Sequence, residues 1–167
     1  RGDIDYQKTE NEVLNSIKLL AGQKNILRMQ GSASLAIELS IKNFISGRVL
    51  LIDSGYYSDR LKFILNNEKE IYKDMKIDYI NYFDLENLKD VSYDWVVACY
   101  VETSKGFKHS VSRIKNFVDK AGAKLFLDAT ASIGLEENHN LADLLAFSSC
   151  KGLFGLTGAC FITFNDL

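Results

Sequence analysis

Lys124-Leu125-Phe126-Leu127-Asp128-Ala129-Thr130 and Leu144-Leu145-Ala146-Phe147-Ser148-Ser149-Cys150-Lys151-Gly152 decide how this chain folds. Each is an apolar run that ends in a polar group, and Asp128 and Lys151 stand 23 positions apart. Short, continuous apolar runs of this kind predict strands covered on both faces, as in a parallel sheet. Asp128 and Lys151 are then expected at the carboxyl edge of that sheet, where open α/β folds bind their ligands.

Outward from these runs the pattern alternates. Helical spacing from Tyr6 to Leu20, with Gly22 as a C-cap, is followed by a short strand at Ile26–Met29. Gly31-Ser32-Ala33-Ser34 leads into a helical pattern from Leu35 to Ile45, then a strand at Arg48–Ile52 and a helix from Tyr56 to Leu65. Ile77–Tyr82 alternates as a partly exposed strand does, and a short helix near Leu85–Leu88 precedes an apolar strand at Trp95–Val101. An amphipathic helix at Val111–Ala121 leads to the Asp128 strand, then the Lys151 strand, and Ala159–Phe164 closes the series. Strands alternating with helices predict a doubly wound, mostly parallel α/β sheet. With no internal repeat or linker, residues 1–167 read as a single domain.

Composition narrows the function. The 167 residues are 47% hydrophobic and 25% charged, enough for one substantial core. A net charge of −2 gives no reason to expect nucleic acid or an anionic membrane as partner. No apolar stretch is long enough to span a bilayer and no signal peptide opens the chain, so a cytoplasmic protein is expected. Cys99, Cys150 and Cys160 are odd in number and lie in or beside apolar runs, as reduced thiols do. With only His109 and His139 present, no metal site is expected. The chain opens at Arg1 without a methionine, stops at Leu167 just after an apolar run, and contains no proline. It is expected to be a piece of something longer.

Several residues at strand ends carry chemistry. A lysine can form an imine with an aldehyde, and a nearby carboxylate can keep a pyridinium nitrogen protonated; together these are the apparatus of pyridoxal phosphate (PLP) chemistry. Apolar neighbours of Lys151, namely Phe147, Leu153 and Phe154, are expected to surround its amine and lower its proton affinity. A surface lysine is the plainer reading. Asp128 reads as a buried carboxylate in need of a partner, or as an exposed strand end. Gly31–Ser34 fits either a serine N-cap or an anion cradle at a helix N-terminus. Tyr56 and Tyr57 either stack on a planar ligand or pack on the sheet edge, and Glu102–Gly106 is a polar loop offering hydroxyls at that same edge.

In order and spacing these segments resemble class V aminotransferases of PLP fold type I, in the branch of the 2-aminoethylphosphonate–pyruvate and alanine–glyoxylate aminotransferases. The resemblance rests on Gln30–Glu38, Asp53–Tyr57, Glu102–Gly106, Leu127–Ser132 and Ser148–Lys151. It implies the three-layer large domain of that fold. Ser32, Ala33 and Ser34 would bind the cofactor phosphate, with Ser149 beside it. Tyr57 would stack on one ring face and Thr130 on the other, and Thr103 would approach the 3-oxygen. Asp128 would pair with the ring nitrogen and Lys151 would carry the imine. The implied reaction is transamination between a small amine, such as 2-aminoethylphosphonate, and an oxo acid such as pyruvate, in a homodimer. Two alternatives are a PLP-dependent lyase or desulfurase, and an incomplete, inactive PLP-binding domain. The chain departs from the family pattern at Ala33, usually glycine, at Lys105, usually threonine, and in Gly152–Gly158, which lacks the usual proline. The family's N-terminal loop and C-terminal small domain have no counterpart in these residues.

Overall fold

A computed structural model of the chain describes residues 3–89 and 91–167; Arg1 lies outside them. α1 (Ile4–Ala21) starts where the Asp3 side chain accepts from the Asp5 N–H. It stops at Gly22, whose φ of 66° lets the chain turn while Gly22 and Gln23 donate back to the carbonyls of Leu19 and Lys18. Then come β1 (Asn25–Gln30), α2 (Ala33–Phe44), β2 (Arg48–Asp53), α3 (Tyr56–Ile71) and β3 (Lys76–Asn81). A 3₁₀ turn at Tyr82–Asn87 leads to β4 (Trp95–Cys99) and a small hairpin of β5 (Val101–Glu102) and β6 (Phe107–Lys108). α4 (Val111–Ala121), β7 (Lys124–Asp128), a 3₁₀ turn at His139–Leu141, β8 (Leu144–Ser148) and β9 (Ala159–Phe164) complete the chain.

Seven strands form one sheet in the order β3-β2-β4-β7-β8-β9-β1. Only β9 runs against its neighbours, pairing antiparallel with both β8 and β1. The edge strands β1 and β3 are largely exposed, whereas β4 and β8 are buried at every position. Alternate residues feed two cores, as the strand period of two requires. Leu50, Val96, Ala98, Leu125, Leu127, Leu145 and Phe147 pack with α4 and with Ile17 and Ala21 of α1. Val49, Leu51, Val97, Phe126, Leu144 and Ala146 pack with α2 and α3 on the opposite face. The result is the three-layer, mostly parallel arrangement the sequence implies.

α3 runs six residues past the expected end at Leu65, and the short helix expected near Leu85–Leu88 is the 3₁₀ turn at Tyr82–Asn87. Two further boundaries that differ from expectation lie at the carboxyl edge. The strand expected to run through Lys151 ends at Ser148, because β7 pairs with β8 only as far as Asp128↔Ala146. Residues 149–153 turn back instead, with the Gly155 N–H donating to the Ser149 carbonyl at 2.7 Å. The apolar run at Trp95–Val101 breaks at Tyr100, whose hydroxyl donates to the Glu137 carbonyl at 2.8 Å, and Val101 begins the hairpin. Among the described residues, no helix is long and apolar enough to cross a membrane, and no group of three or more His, Cys, Asp or Glu could hold a metal ion.

Candidate active site

In register, Cys99 of β4 lies opposite Asp128 of β7, and Asp128 lies opposite Ala146 of β8. The sheet therefore delivers the ends of its central strands to one level. A cleft of about 140 Å³ opens there, lined by Tyr57, Cys99, Val101, Thr103, Asp128, Thr130, Ala131 and Lys151. Five expected site residues, Tyr57, Thr103, Asp128, Thr130 and Lys151, thus share one cleft although they come from four separate segments.

Asp128 is 5% exposed, and burial raises its carboxyl above the ordinary carboxylate range. Thr130 opposes this, its N–H and hydroxyl both donating to Oδ1 at 3.0 and 2.5 Å, and the Arg60 charge acts in the same direction as Thr130. Both bonds fall on one oxygen, which leaves Oδ2 for a partner in the cleft. Cys99, also in the cleft, donates to the Val101 carbonyl at 3.3 Å, and burial beside Asp128 and Glu102 pushes its thiol well up. The thiol is therefore held protonated and is a poor nucleophile.

Lys151 differs from expectation. It is exposed at the rim; Phe154 is 80% exposed, and Phe147 is wholly buried in a core. Leu153, the third expected neighbour, is half-buried against that same core, so among the described residues none of the three is shown to enclose the amine. What fixes Lys151 is its neighbour. The Gly152 N–H donates to the Thr130 carbonyl at 3.3 Å, and a Cβ on Gly152 would stand 2.1 Å from the Ile133 carbonyl oxygen. The loop after β8 is thus pressed on the loop after β7, holding Lys151 near Asp128.

Ser32, Ala33 and Ser34 form the N-terminus of α2 and do not line this cleft. The Ser32 hydroxyl makes no cap bond to its own helix, so it and the first amide groups are available to an anion. The Gly31 N–H donates to the Gly158 carbonyl at 3.0 Å, which ties this turn to the loop that follows Lys151. Ser149 donates its hydroxyl to the Leu156 carbonyl at 2.5 Å. It lines a larger groove of about 870 Å³ between α1, β1 and residues 153–159, which is richer in apolar groups than in convergent polar ones. Sequence reasoning missed Cys99, Val101 and Ala131 as cleft residues. The signal for Cys99 was its β4 position level with Asp128, which needs the strand register to be known.

This layout suits PLP: a buried carboxylate with one free oxygen, a lysine at the rim, an aromatic side chain lining the same cleft, and a helix N-terminus tied to the loop that follows the lysine. The fold is that of the large domain of PLP-dependent aminotransferases. No family model matches the sequence. Curated homologues are 2-aminoethylphosphonate–pyruvate transaminases; that of Pseudomonas aeruginosa is 27% identical over 173 residues, covering 96% of this chain and 47% of its own length. The chain therefore spans about half the length of the curated relatives it matches. Ureidoglycine–glyoxylate aminotransferase from Bacillus subtilis superposes with a TM-score of 0.80 at 21% identity, covering 98% of this chain and 45% of its own. Alanine–glyoxylate aminotransferase from Nostoc sp. gives 0.78 at 20% identity, with 97% and 46% covered.

Proposed function

We propose that residues 1–167 are the cofactor-binding domain of a PLP-dependent aminotransferase that moves an amino group from a small amine to an oxo acid. The observation that carries this reading is the meeting of Asp128 and Lys151 in one cleft with Tyr57, Thr103 and Thr130. Bound PLP supplies an electron sink for the substrate's reacting carbon. Asp128 would keep the ring nitrogen protonated through Oδ2, in the position that Thr130 fixes through Oδ1. Lys151 is the amine that would hold the cofactor and would move the substrate's proton. Tyr57 and Thr130 would pack on the ring, Thr103 would hydrogen-bond near its 3-oxygen, and Ser32, Ala33 and Ser34, with Ser149, would hold the phosphate. The names of the relatives support a 2-aminoethylphosphonate-like donor and pyruvate as acceptor; a homodimer of the whole protein is part of the proposal and rests on the family resemblance alone. The buried, protonated Cys99 argues against a desulfurase that uses this thiol.

Borohydride reduction of the chain mixed with PLP, followed by peptide mapping, tests this directly. A pyridoxyl label confined to Lys151 is the expected result. Labels scattered over surface lysines would remove Lys151 from its role.

A further inference from the structure

Glu102 is wholly buried, and among the described residues it makes no salt bridge. Its carboxylate is aimed at the first turn of α3. Oε2 accepts from the N–H groups of Tyr57 and Ser58 at 3.1 and 3.2 Å, and Oε1 lies 3.3 Å from the Tyr57 nitrogen. The Ser104 hydroxyl donates to Oε1, and the Ser54 hydroxyl stands 3.5 Å from Oε2. A carboxylate taken out of water needs such bonds, and the free amides of a helix N-terminus favour an anion. The approach depends on Gly55, which has a φ of 154°; a Cβ there would lie 2.9 Å from the Glu102 carboxyl carbon. From the other side the Ser58 hydroxyl oxygen accepts from the N–H groups of Ser54 and Gly55, both at 2.8 Å.

The consequence lies in which residues this junction joins. Tyr57, whose amide Glu102 holds, lines one wall of the cleft, and Thr103, next in the chain after Glu102, lines another. One buried carboxylate therefore locks α3 to the β5–β6 hairpin at the two places where each meets the ligand.

We propose that Glu102 is a positioning residue that sets Tyr57 and Thr103 against the cofactor ring. It rests on the reading of the cleft as a PLP site. It acts through reach and hydrogen-bond acceptance, not through charge at the reacting atoms. Two substitutions separate these. Glu102→Gln keeps an oxygen directed at α3 and removes the charge; Glu102→Asp keeps the charge and withdraws the acceptor by one methylene. The readouts are PLP affinity by absorbance titration and the visible circular dichroism that the bound ring acquires from its asymmetric walls, with thermal melting to confirm folding. Gln is expected to stay within about threefold of wild-type affinity, and Asp to weaken it about tenfold with a diminished dichroic band, the scale of a lost cap. In a Tyr57→Ala background the Asp loss should shrink, because the two act on the same contact. A tenfold loss in folded Gln, or losses from Asp and Tyr57→Ala that simply add, overturns the proposal. A wild-type chain that binds no PLP at Lys151 overturns the cofactor reading itself, and the positioning role with it.

Discussion

Asp128 sits under two opposed demands. Burial raises its pKa in the ligand-free chain and outweighs Thr130 and the Arg60 charge, so its charged form is less comfortable folded than unfolded. A group whose folded pKa is raised contributes stability only at low pH and costs it as pH climbs through that pKa. Asp128→Asn should therefore raise the thermal midpoint of the ligand-free chain at pH 7, since the Asn oxygen still accepts from Thr130. The same change should leave PLP binding measurable while slowing amino-group transfer by orders of magnitude, because a neutral amide cannot hold the ring nitrogen protonated. Melting curves and single-turnover rates on one preparation check both halves. A destabilised variant would contradict the burial argument, and an unchanged rate would contradict the electron-sink role.

At the scale of elements, the central strands were legible because β4, β7 and β8 are buried on both faces and so are written as unbroken apolar runs. α4 was legible to the residue as Val111–Ala121, and the structure adds its caps, Ser110 and Gly122. The loops were not, because their shape depends on partners distant in sequence. Nothing near Lys151 announces that β8 loses its β7 partner after Ala146, or that Gly152 must pass the Ile133 carbonyl. Glu102 read as part of a polar loop because its bonds go to α3, more than forty residues back. The reversed direction of β9 was equally unreadable, for a buried run looks the same either way. The Gly152 contact gives a test of what holds Lys151. Gly152→Ala forces the two loops apart, so a loss of roughly 1–3 kcal/mol in urea unfolding is expected, the usual cost of overpacking. Weakened PLP labelling at Lys151 should accompany it. A variant as stable as wild type would show that the loop shifts freely and that Gly152 does not fix the lysine.

The whole molecule buries both of its histidines, and this governs its response to acid. His139 lies behind the loop that carries Thr130, with Nε2 2.9 Å from the Ser132 hydroxyl oxygen and its ring against Tyr100. Burial pushes its imidazole down to about 4, although the nearby Glu136 pulls the other way. His109, with Nδ1 2.6 Å from the Cys99 carbonyl oxygen, is lowered for the same reason. Each is neutral in the folded chain and takes up a proton on unfolding below its ordinary pKa. Folding is therefore opposed increasingly as pH falls from about 6.5 toward 4, and rises again toward neutrality. For His139 alone this amounts to about 2 kcal/mol between pH 7 and 4.5, a large part of a marginal stability. Asp128 contributes with the opposite sign and softens the fall. Urea unfolding of wild type and His139→Gln at both pH values separates the terms. The variant should be weaker at pH 7, having lost its packing and the Ser132 contact, yet lose about 2 kcal/mol less than wild type on acidification. Equal slopes in the two proteins would mean that the acid response comes from elsewhere and that the support behind Thr130 does not titrate.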